Sequence, residues 1–100
     1  MPTVYITAPP EAADEIADVL VRERLAACVN QFAATSTYRW EGDVHHDEEV
    51  ILLAKTTGDA SDDLVTRVRE IHPYDVPCLE RFDESDLLES FATWRAESVE

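Results

Sequence analysis

The side chains most able to do chemistry in this sequence are two cysteines, three histidines and a single lysine. Cys28 and Cys78 could act as nucleophiles, as metal ligands or as small buried side chains, and core packing is the commonest role of a lone cysteine. A thiol hydrolase can be drawn from Cys28, His72 and Asp75, but nothing nearby in the sequence activates the thiol. The residues therefore give only weak support to a thiol enzyme.

An acidic run that contains two adjacent histidines, His45–Glu49, has the composition of a metal site. On a strand, successive side chains point to opposite faces, so His45 and Asp47 share one face while His46 and Glu48 share the other. Adjacent histidines of a regular strand cannot bind one ion together, although a β-bulge would allow it. The run is predicted to be an exposed acidic edge.

Two further residues each allow two interpretations. His72 ends a predicted helix, where a protonated imidazole is stabilised, and Pro73 and Pro77 bracket the segment that follows it. This segment either holds its side chains in place for binding or is a rigid turn that contains a histidine. Lys55 ends an apolar strand in a chain whose other basic residues are all arginine. It is either a positive charge kept for an anion or a partner for nearby carboxylates.

The elements that must position these residues follow from hydrophobic periodicity. Alternation rich in β-branched residues predicts strands, helical spacing of apolar residues predicts helices, and Gly42 indicates a hairpin turn. Along the chain we predict strand Thr3–Ala8, helix Pro10–Ala26, strands Cys28–Ala34 and Val44–Thr56, a helix capped by Asp59 or Ser61 and ending near Ile71, strand Cys78–Phe82 and helix Ser85–Glu97.

The order of these elements is that of a split βαβ unit. We predict one domain over residues 1–100 in the α+β class: a ferredoxin-like (βαββαβ) two-layer sandwich with an added C-terminal helix. Right-handed crossovers put both crossover helices on one face of an antiparallel sheet. The second and fourth strands then lie at opposite edges, which leaves a disulfide between Cys28 and Cys78 out of reach.

The third strand is apolar on both of its faces. Val50, Leu52 and Ala54 point one way, whereas Ile51 and Leu53 point the other. Because the two crossover helices cover only one face, the other must be covered by the C-terminal helix or by another subunit. The sequence leaves both possibilities open.

Charge and hydropathy argue against two classes of partner. The 100 residues carry 22 acidic and 8 basic side chains, a formal net charge of −14, whereas nucleic acids and anionic membranes need clustered Lys and Arg. The longest apolar runs, Leu25–Val29 and Val50–Ala54, are too short to span a bilayer. No apolar leader follows Met1, so we expect a cytoplasmic protein. Concentrated salt would screen the repulsion among these carboxylates, which leads to the hypothesis of a halophilic host.

Four segments, in order and spacing, resemble the CutA divalent-cation tolerance family: Leu25–Asn30, Tyr38–Gly42, Glu49–Thr56 and His72–Pro77. The resemblance extends from Val4 to about Val99. It implies a tight homotrimer, a role in divalent-metal tolerance with copper or another divalent metal bound, and no established enzymatic reaction. The family's trimer is similar to that of the nitrogen-regulatory PII signal proteins, so sensing of a small ligand is the alternative function.

The resemblance also implies which residues line the clefts between subunits. Carried over by position, they are Cys28, Trp40, Glu41, Lys55, His72 and Tyr74. This chain has Ile6 and Ile71 where some members carry a metal-binding Cys and a second His, and it has Cys78 where Glu is usual. We therefore expect a different ligand set for copper or zinc, made of His72 and Cys78, with Glu80 on the same strand face as Cys78.

Overall fold

Four strands form one antiparallel sheet in the computed structural model, which describes residues Met1–Glu100. The strand order is β2-β3-β1-β4, so β2 and β4 are the two edges, as predicted for the ferredoxin-like fold. The elements in chain order are β1 (Pro2–Ala8), α1 (Pro10–Arg22), β2 (Cys28–Trp40), β3 (Asp43–Lys55), α2 (Gly58–Ile71), β4 (Leu79–Asp83) and α3 (Glu89–Ser98).

The core lies between the helices α1 and α2 and one face of the sheet, which we call the first face. Helical spacing puts a single stripe of α1 toward the sheet, and every member of the stripe is buried. In β1 and β3, alternate side chains point toward these helices and complete the core. The buried apolar residues of this layer include Val4, Ile6, Ala8, Ala13, Ile16, Ala17, Leu20, Leu52, Ala54, Leu64 and Val68.

The helix boundaries differ from the predicted ones in three places. α1 ends at Arg22 rather than Ala26, because Arg24 adopts a left-handed conformation (φ 60°) that turns the chain out of the helix. α2 is capped by Thr57, whose Oγ1 accepts a 3.2 Å hydrogen bond from the backbone N of Ala60, so the predicted caps were wrong. α3 begins at Glu89, not Ser85. The end of α2 at Ile71 is confirmed.

The hairpin between β2 and β3 is longer than predicted, since β2 continues to Trp40. Its turn is Glu41-Gly42, and both residues have positive φ (50° and 87°), as a tight two-residue hairpin requires. Within β3, only the segment Val50–Lys55 pairs with β1. The distal half of the hairpin therefore extends beyond the rest of the sheet.

The opposite, second face of the sheet carries Tyr5, Phe32, Ile51, Leu53 and Phe82, and helices α1 and α2 do not reach it. The side chains of Phe32 and Phe82 remain 48% and 51% exposed. Helix α3 lies against one end of this face only. The C-terminal helix is thus not the cover that the two-sided β3 needs within one subunit.

Helix α3 is held to the sheet by one buried arginine. Arg95 is 1% exposed, and it donates from Nε to the backbone O of Thr56 at 2.6 Å and from Nη2 to the backbone O of Pro2.

No helix of the structure is both long enough and apolar enough to cross a membrane.

Candidate functional site

A cleft of about 660 Å³ lies on the second face, between the distal half of the β2–β3 hairpin and the segment 73–78. We call it the hairpin cleft. Aromatic, hydroxyl, carboxylate and thiol side chains line it, and none of its lining residues is basic. These residues are Thr7, Ser36, Thr37, Tyr38, Trp40, Glu49, Pro73, Tyr74, Asp75, Val76 and Cys78.

The turn of the hairpin determines which of its side chains face the cleft. A two-residue turn at Glu41-Gly42 pairs Trp40 with Asp43, Tyr38 with His45 and Ala34 with Glu49. Directly opposed residues of an antiparallel pair share a face. Trp40, Tyr38 and Glu49 therefore all point to the second face.

The other wall is anchored by His72. Its Nδ1 accepts a 3.1 Å hydrogen bond from the backbone N of Tyr74, so Nε2 carries the proton and donates to the backbone O of Thr7 at 2.8 Å. Both nitrogens of this buried, neutral imidazole are thereby occupied. Metal binding at His72 stays a prediction, and it requires that one of these hydrogen bonds be broken.

Glu49 is the most deeply buried carboxylate of the cleft, with 8% of its surface exposed. Its one side-chain hydrogen bond comes from Tyr74 Oη to Oε2 and is long, at 3.4 Å. None of the four ion pairs in the structure includes Glu49. Burial, followed by the negative charge of Glu49, raises the pKa of Tyr74, which keeps the phenol protonated.

Tyr38 stands on the hairpin wall with its hydroxyl also directed to a carboxylate. Tyr38 Oη donates to Asp47 Oδ2, and this hydrogen bond raises the pKa of Tyr38 to about 12. The ring stacks on His45, with 5.4 Å between centroids and 17° between planes. His46 lies on the other face, where its Nδ1 is 3.1 Å from Thr37 Oγ1. The two adjacent histidines thus point apart, as predicted.

Cys78 reaches the cleft as a partly buried free thiol. Burial raises the pKa of Cys78, and the hydrogen bond that Sγ donates to Glu80 Oε1 at 3.4 Å raises it further. A thiol with a raised pKa is a poor nucleophile at neutral pH. No group of three or more His, Cys, Asp or Glu side chains in the subunit is arranged to hold a metal ion.

The predicted cleft residues and the predicted metal ligand Cys78 fall into two groups within one subunit. Trp40, Tyr74 and Cys78 line the hairpin cleft, and Glu41 is in the turn beside it. Cys28 and Lys55 face each other at the opposite end of the hairpin.

The two groups are far apart. Positions 28 and 40 lie on the same strand, and 12 residues of strand span roughly 40 Å. Lys55 instead lines a different cavity, of about 390 Å³, together with Phe82, Phe91 and Arg95. One subunit therefore brings together only part of the predicted set.

Two residues of the cleft escaped the sequence-based selection. Glu49 was part of a run interpreted as an exposed edge, and Tyr38 was noted only for the family resemblance. The usable signal was the hairpin register, since a turn at Glu41-Gly42 pairs residues whose numbers sum to 83. That register puts Glu49 on the same face as Tyr38 and Trp40.

Comparison with known proteins gives a consistent result for sequence and structure. Residues 2–98 match the family described as CutA1 divalent ion tolerance protein. Over 97 residues the chain is 39% identical to the divalent-cation tolerance protein CutA of Pyrococcus horikoshii, covering 96% of this chain and 95% of that one.

Two solved structures share the whole fold. The crystal structure of CutA1 from Pyrococcus horikoshii has a TM-score of 0.96 at 38% identity, with 100% of this chain and 99% of that chain covered. The PII-like protein CutA from Nostoc sp. PCC 7120, in its apo form, has a TM-score of 0.97 at 29% identity, with 100% and 98% covered.

Proposed function

Since this chain belongs to the CutA1 divalent ion tolerance family, we propose that it serves divalent-metal tolerance as a homotrimer that works by binding and catalyses no reaction. Its cargo, a metal ion or a small ligand, is held in clefts between the subunits. The observation that carries this proposal is the second face of the sheet, which remains half open in the subunit.

The second face supports self-association for a physical reason. Phe32 and Phe82 expose about half of their surfaces on one continuous face of the sheet. Contiguous apolar surface of this kind favours a protein interface. The edges β2 and β4 also carry backbone groups that a neighbouring copy can pair with. Association of the copies would remove both the second face and these edges from water.

Assembly also supports a shared binding site. Cys28 and Lys55 are roughly 40 Å from Trp40 along the same hairpin. The two groups of predicted cleft residues can meet only when the tip of one hairpin approaches the base of another. In a trimer that assembles through the hairpins, residues of two subunits would line each cleft.

Native mass spectrometry tests the assembly and its cargo together. The expected ion has three times the 11.3 kDa subunit mass, and cargo that survives the gas phase adds to it. A dominant mass of one or two subunits, measured in the salt at which the chain is folded, contradicts the trimer.

Copper is the metal that we propose for the cleft, with Cys78 and His72 as its ligands in this chain. Sulfur and imidazole ligands suit copper and zinc. Because both His72 nitrogens are engaged and one subunit offers no group of three ligands, residues of a neighbouring copy would complete the site.

Isothermal titration with Cu²⁺ and Zn²⁺ measures this binding. Cys78→Ser is expected to lower the affinity at least tenfold. Cys28→Ser tests the contribution of a neighbouring copy: a loss of similar size would add Cys28 of a second subunit to the site, and an unchanged affinity would leave it outside. Equal affinity of wild type and Cys78→Ser removes Cys78 from the metal site.

Small-ligand sensing, as in PII-like proteins, is the second candidate. It is favoured by the size of the hairpin cleft, about 660 Å³, which falls in the range of sites for small organic molecules. A rise in melting temperature on adding a ligand in the presence of a chelator would support it. A rise with metals alone would favour the first candidate.

A further inference from the structure

We propose that Glu49 of one copy forms an ion pair with Lys55 of the next copy, once at each of the three interfaces of the trimer. The inference rests on the trimeric form of the proposed function and names the charged side chain that a neighbouring copy adds to the hairpin cleft. The cleft is therefore complete only after assembly.

Glu49 and Lys55 are the two ends of one row of side chains on β3. Alternation puts Glu49, Ile51, Leu53 and Lys55 on the second face of the sheet, with the two apolar residues between the charged ones. Six residues of strand span roughly 20 Å, so the two charged groups cannot meet within one subunit. Each subunit thus presents opposite charges at the two ends of an apolar strip.

Glu49 has no positive partner in its own subunit. It is 8% exposed, and none of the four ion pairs includes it. Its only side-chain hydrogen bond, from Tyr74 Oη, is 3.4 Å long. A buried carboxylate is costly unless an opposite charge or strong hydrogen bonds accompany it. A positive group from another copy would offset this cost.

Lys55 is the only lysine of the chain, and it also forms no ion pair within the subunit. Asp83 and Glu84 line the same cavity as Lys55, but neither comes within ion-pair distance of it. Glu84 Oε1 instead accepts hydrogen bonds from Thr3 and Arg95. The Lys55 ammonium can therefore pair with a carboxylate of another copy.

A closed ring gives both residues a partner in every copy. In a heterologous interface, one part of the surface contacts a different part of the same surface on the next copy, and the contacts form a ring if the rotation closes. The Glu49 end of each strip then meets the Lys55 end of the next, which makes three equivalent pairs in a trimer. The same contact covers Ile51 and Leu53 between the two ends.

Exchange of the two charges is the direct test. Glu49→Lys and Lys55→Glu each bring like charges together, so each is expected to raise the concentration at which half of the trimer dissociates about a hundredfold or more. Glu49→Lys/Lys55→Glu restores opposite charges and should return this concentration to within about tenfold of wild type. Analytical ultracentrifugation over a dilution series, in the salt at which the chain is folded, measures it. A double variant as weak as the single ones overturns the proposal.

Asp83 provides the matched control for net charge. It lines the same cavity as Lys55 within one subunit, and Asp83→Lys/Lys55→Glu has the same net charge as the exchanged variant. This control is expected to dissociate as readily as Lys55→Glu alone, because it leaves the Glu49 carboxylate facing a second acid. Equal recovery in the two double variants would assign the effect to net charge and contradict the pair.

Neutral substitutions decide the question if a buried lysine at position 49 prevents folding. Glu49→Gln, Lys55→Gln and their combination form a double-mutant cycle, and circular dichroism establishes that each variant is folded. The pair predicts that the combined variant dissociates no more readily than the weaker of the two single variants. Fold-losses that multiply in the combined variant indicate independent groups and overturn the pair.

A mixture of the Glu49→Lys and Lys55→Glu chains tests the ring. Two kinds of chain cannot alternate around a ring of three, so at least one interface keeps like charges and the mixture should remain weakened. In a reciprocal contact between two copies, both pairs would instead become opposite in charge. Full recovery on mixing would therefore contradict the ring.

The outcomes also distinguish this inference from the function on which it rests. A wild-type chain that is not trimeric contradicts the proposed assembly itself. An intact wild-type trimer whose weakened variants are not restored by charge exchange overturns only the pair between Glu49 and Lys55, and it leaves the trimer and its role in metal tolerance standing. A trimer that charge exchange restores but that binds neither metal nor small ligand supports the pair and contradicts the proposed cargo.

Discussion

Arg95 donates a 3.0 Å hydrogen bond from Nη1 to Glu84 Oε1, which ties the C-terminal helix to the end of β4. The same carboxylate oxygen accepts a hydrogen bond from Thr3 Oγ1 on β1. Arg95 is buried, so this ion pair lies largely out of water, where breaking one partner is costly. The contact closes the sheet at the end opposite the hairpin tip.

This ion pair predicts an acid-sensitive contribution to stability. Burial alone would raise the pKa of Glu84, but the hydrogen bonds from Thr3 and Arg95 outweigh it and lower the pKa below the usual 4.5. A carboxyl whose pKa is lower in the folded state stabilises the fold above the unfolded pKa. That contribution is fully present above about pH 4.5 and is lost as the pH falls through the folded value.

Urea unfolding between pH 6 and pH 3 measures the contribution of this ion pair to stability. Glu84→Gln is expected to lower the free energy of unfolding at pH 6 by about 1 kcal/mol or more and to flatten its decline in acid. Glu23→Gln, which removes an exposed partner of Arg67, should have a smaller effect because solvent screens that pair. If the free energy of unfolding falls equally with decreasing pH in wild type and in Glu84→Gln, Glu84 is not the cause of the acid sensitivity.

The open second face predicts how to dissociate the assembly. Phe32→Glu places a charge on the face that we propose to be buried between copies, so we expect single subunits by native mass and by light scattering. Val21→Glu is the matched control, because Val21 is 42% exposed on helix α1, away from the second face. A trimer that survives Phe32→Glu would exclude this face as the interface.

The hairpin turn predicts opposite outcomes for the two glycines. Gly42 has φ +87°, a conformation that costs other residues about 1 kcal/mol, so Gly42→Ala should destabilise the fold by about that amount. Gly58 starts α2, has no positive φ and has open space where a Cβ would lie. Gly58→Ala should therefore be neutral or stabilising. Thermal unfolding compares them, and equal losses would contradict the turn geometry.

The net charge of −14 predicts that stability rises with salt. Repulsion among the carboxylates is screened as the Debye length falls from about 10 Å at 0.1 M to about 3 Å at 1 M. The melting temperature in KCl should increase across this range, whereas sucrose, which is uncharged, provides the control for general solvent effects. Full stability in dilute buffer would remove the halophilic hypothesis.

Much of the fold was predictable because periodicity is local. The stripe of α1, the alternation of β1 and the end of α2 before Pro73 were all predicted, and the strand order followed from the split βαβ arrangement. The end of α1 was not, since Leu25–Ala27 continue the apolar run and only the left-handed Arg24 shows that the helix has stopped. The cap Thr57 competes with Asp59 and Ser61, whose types are equally suitable.

The site was predictable only in part, because it depends on which residues from distant parts of the sequence come close in space. Tyr74, Trp40 and Cys78 line one cleft of the subunit, while Cys28 and Lys55 lie at the far end of the hairpin. Nothing in the composition of an acidic run distinguishes Glu49 from its neighbours. Glu49 is nevertheless buried, and Tyr74, in the segment after His72, donates a hydrogen bond to its carboxylate.

By itself, the sequence determined the element order, the two-sided apolar β3 and the residue types available for binding, since periodicity, turn residues and proline act within a few positions of the chain. Only the tertiary structure decided which side chains share the hairpin cleft and that α3 leaves the second face open. The bond from His72 to Thr7 spans 65 positions. Such contacts depend on how distant strands and helices pack, which no local pattern encodes.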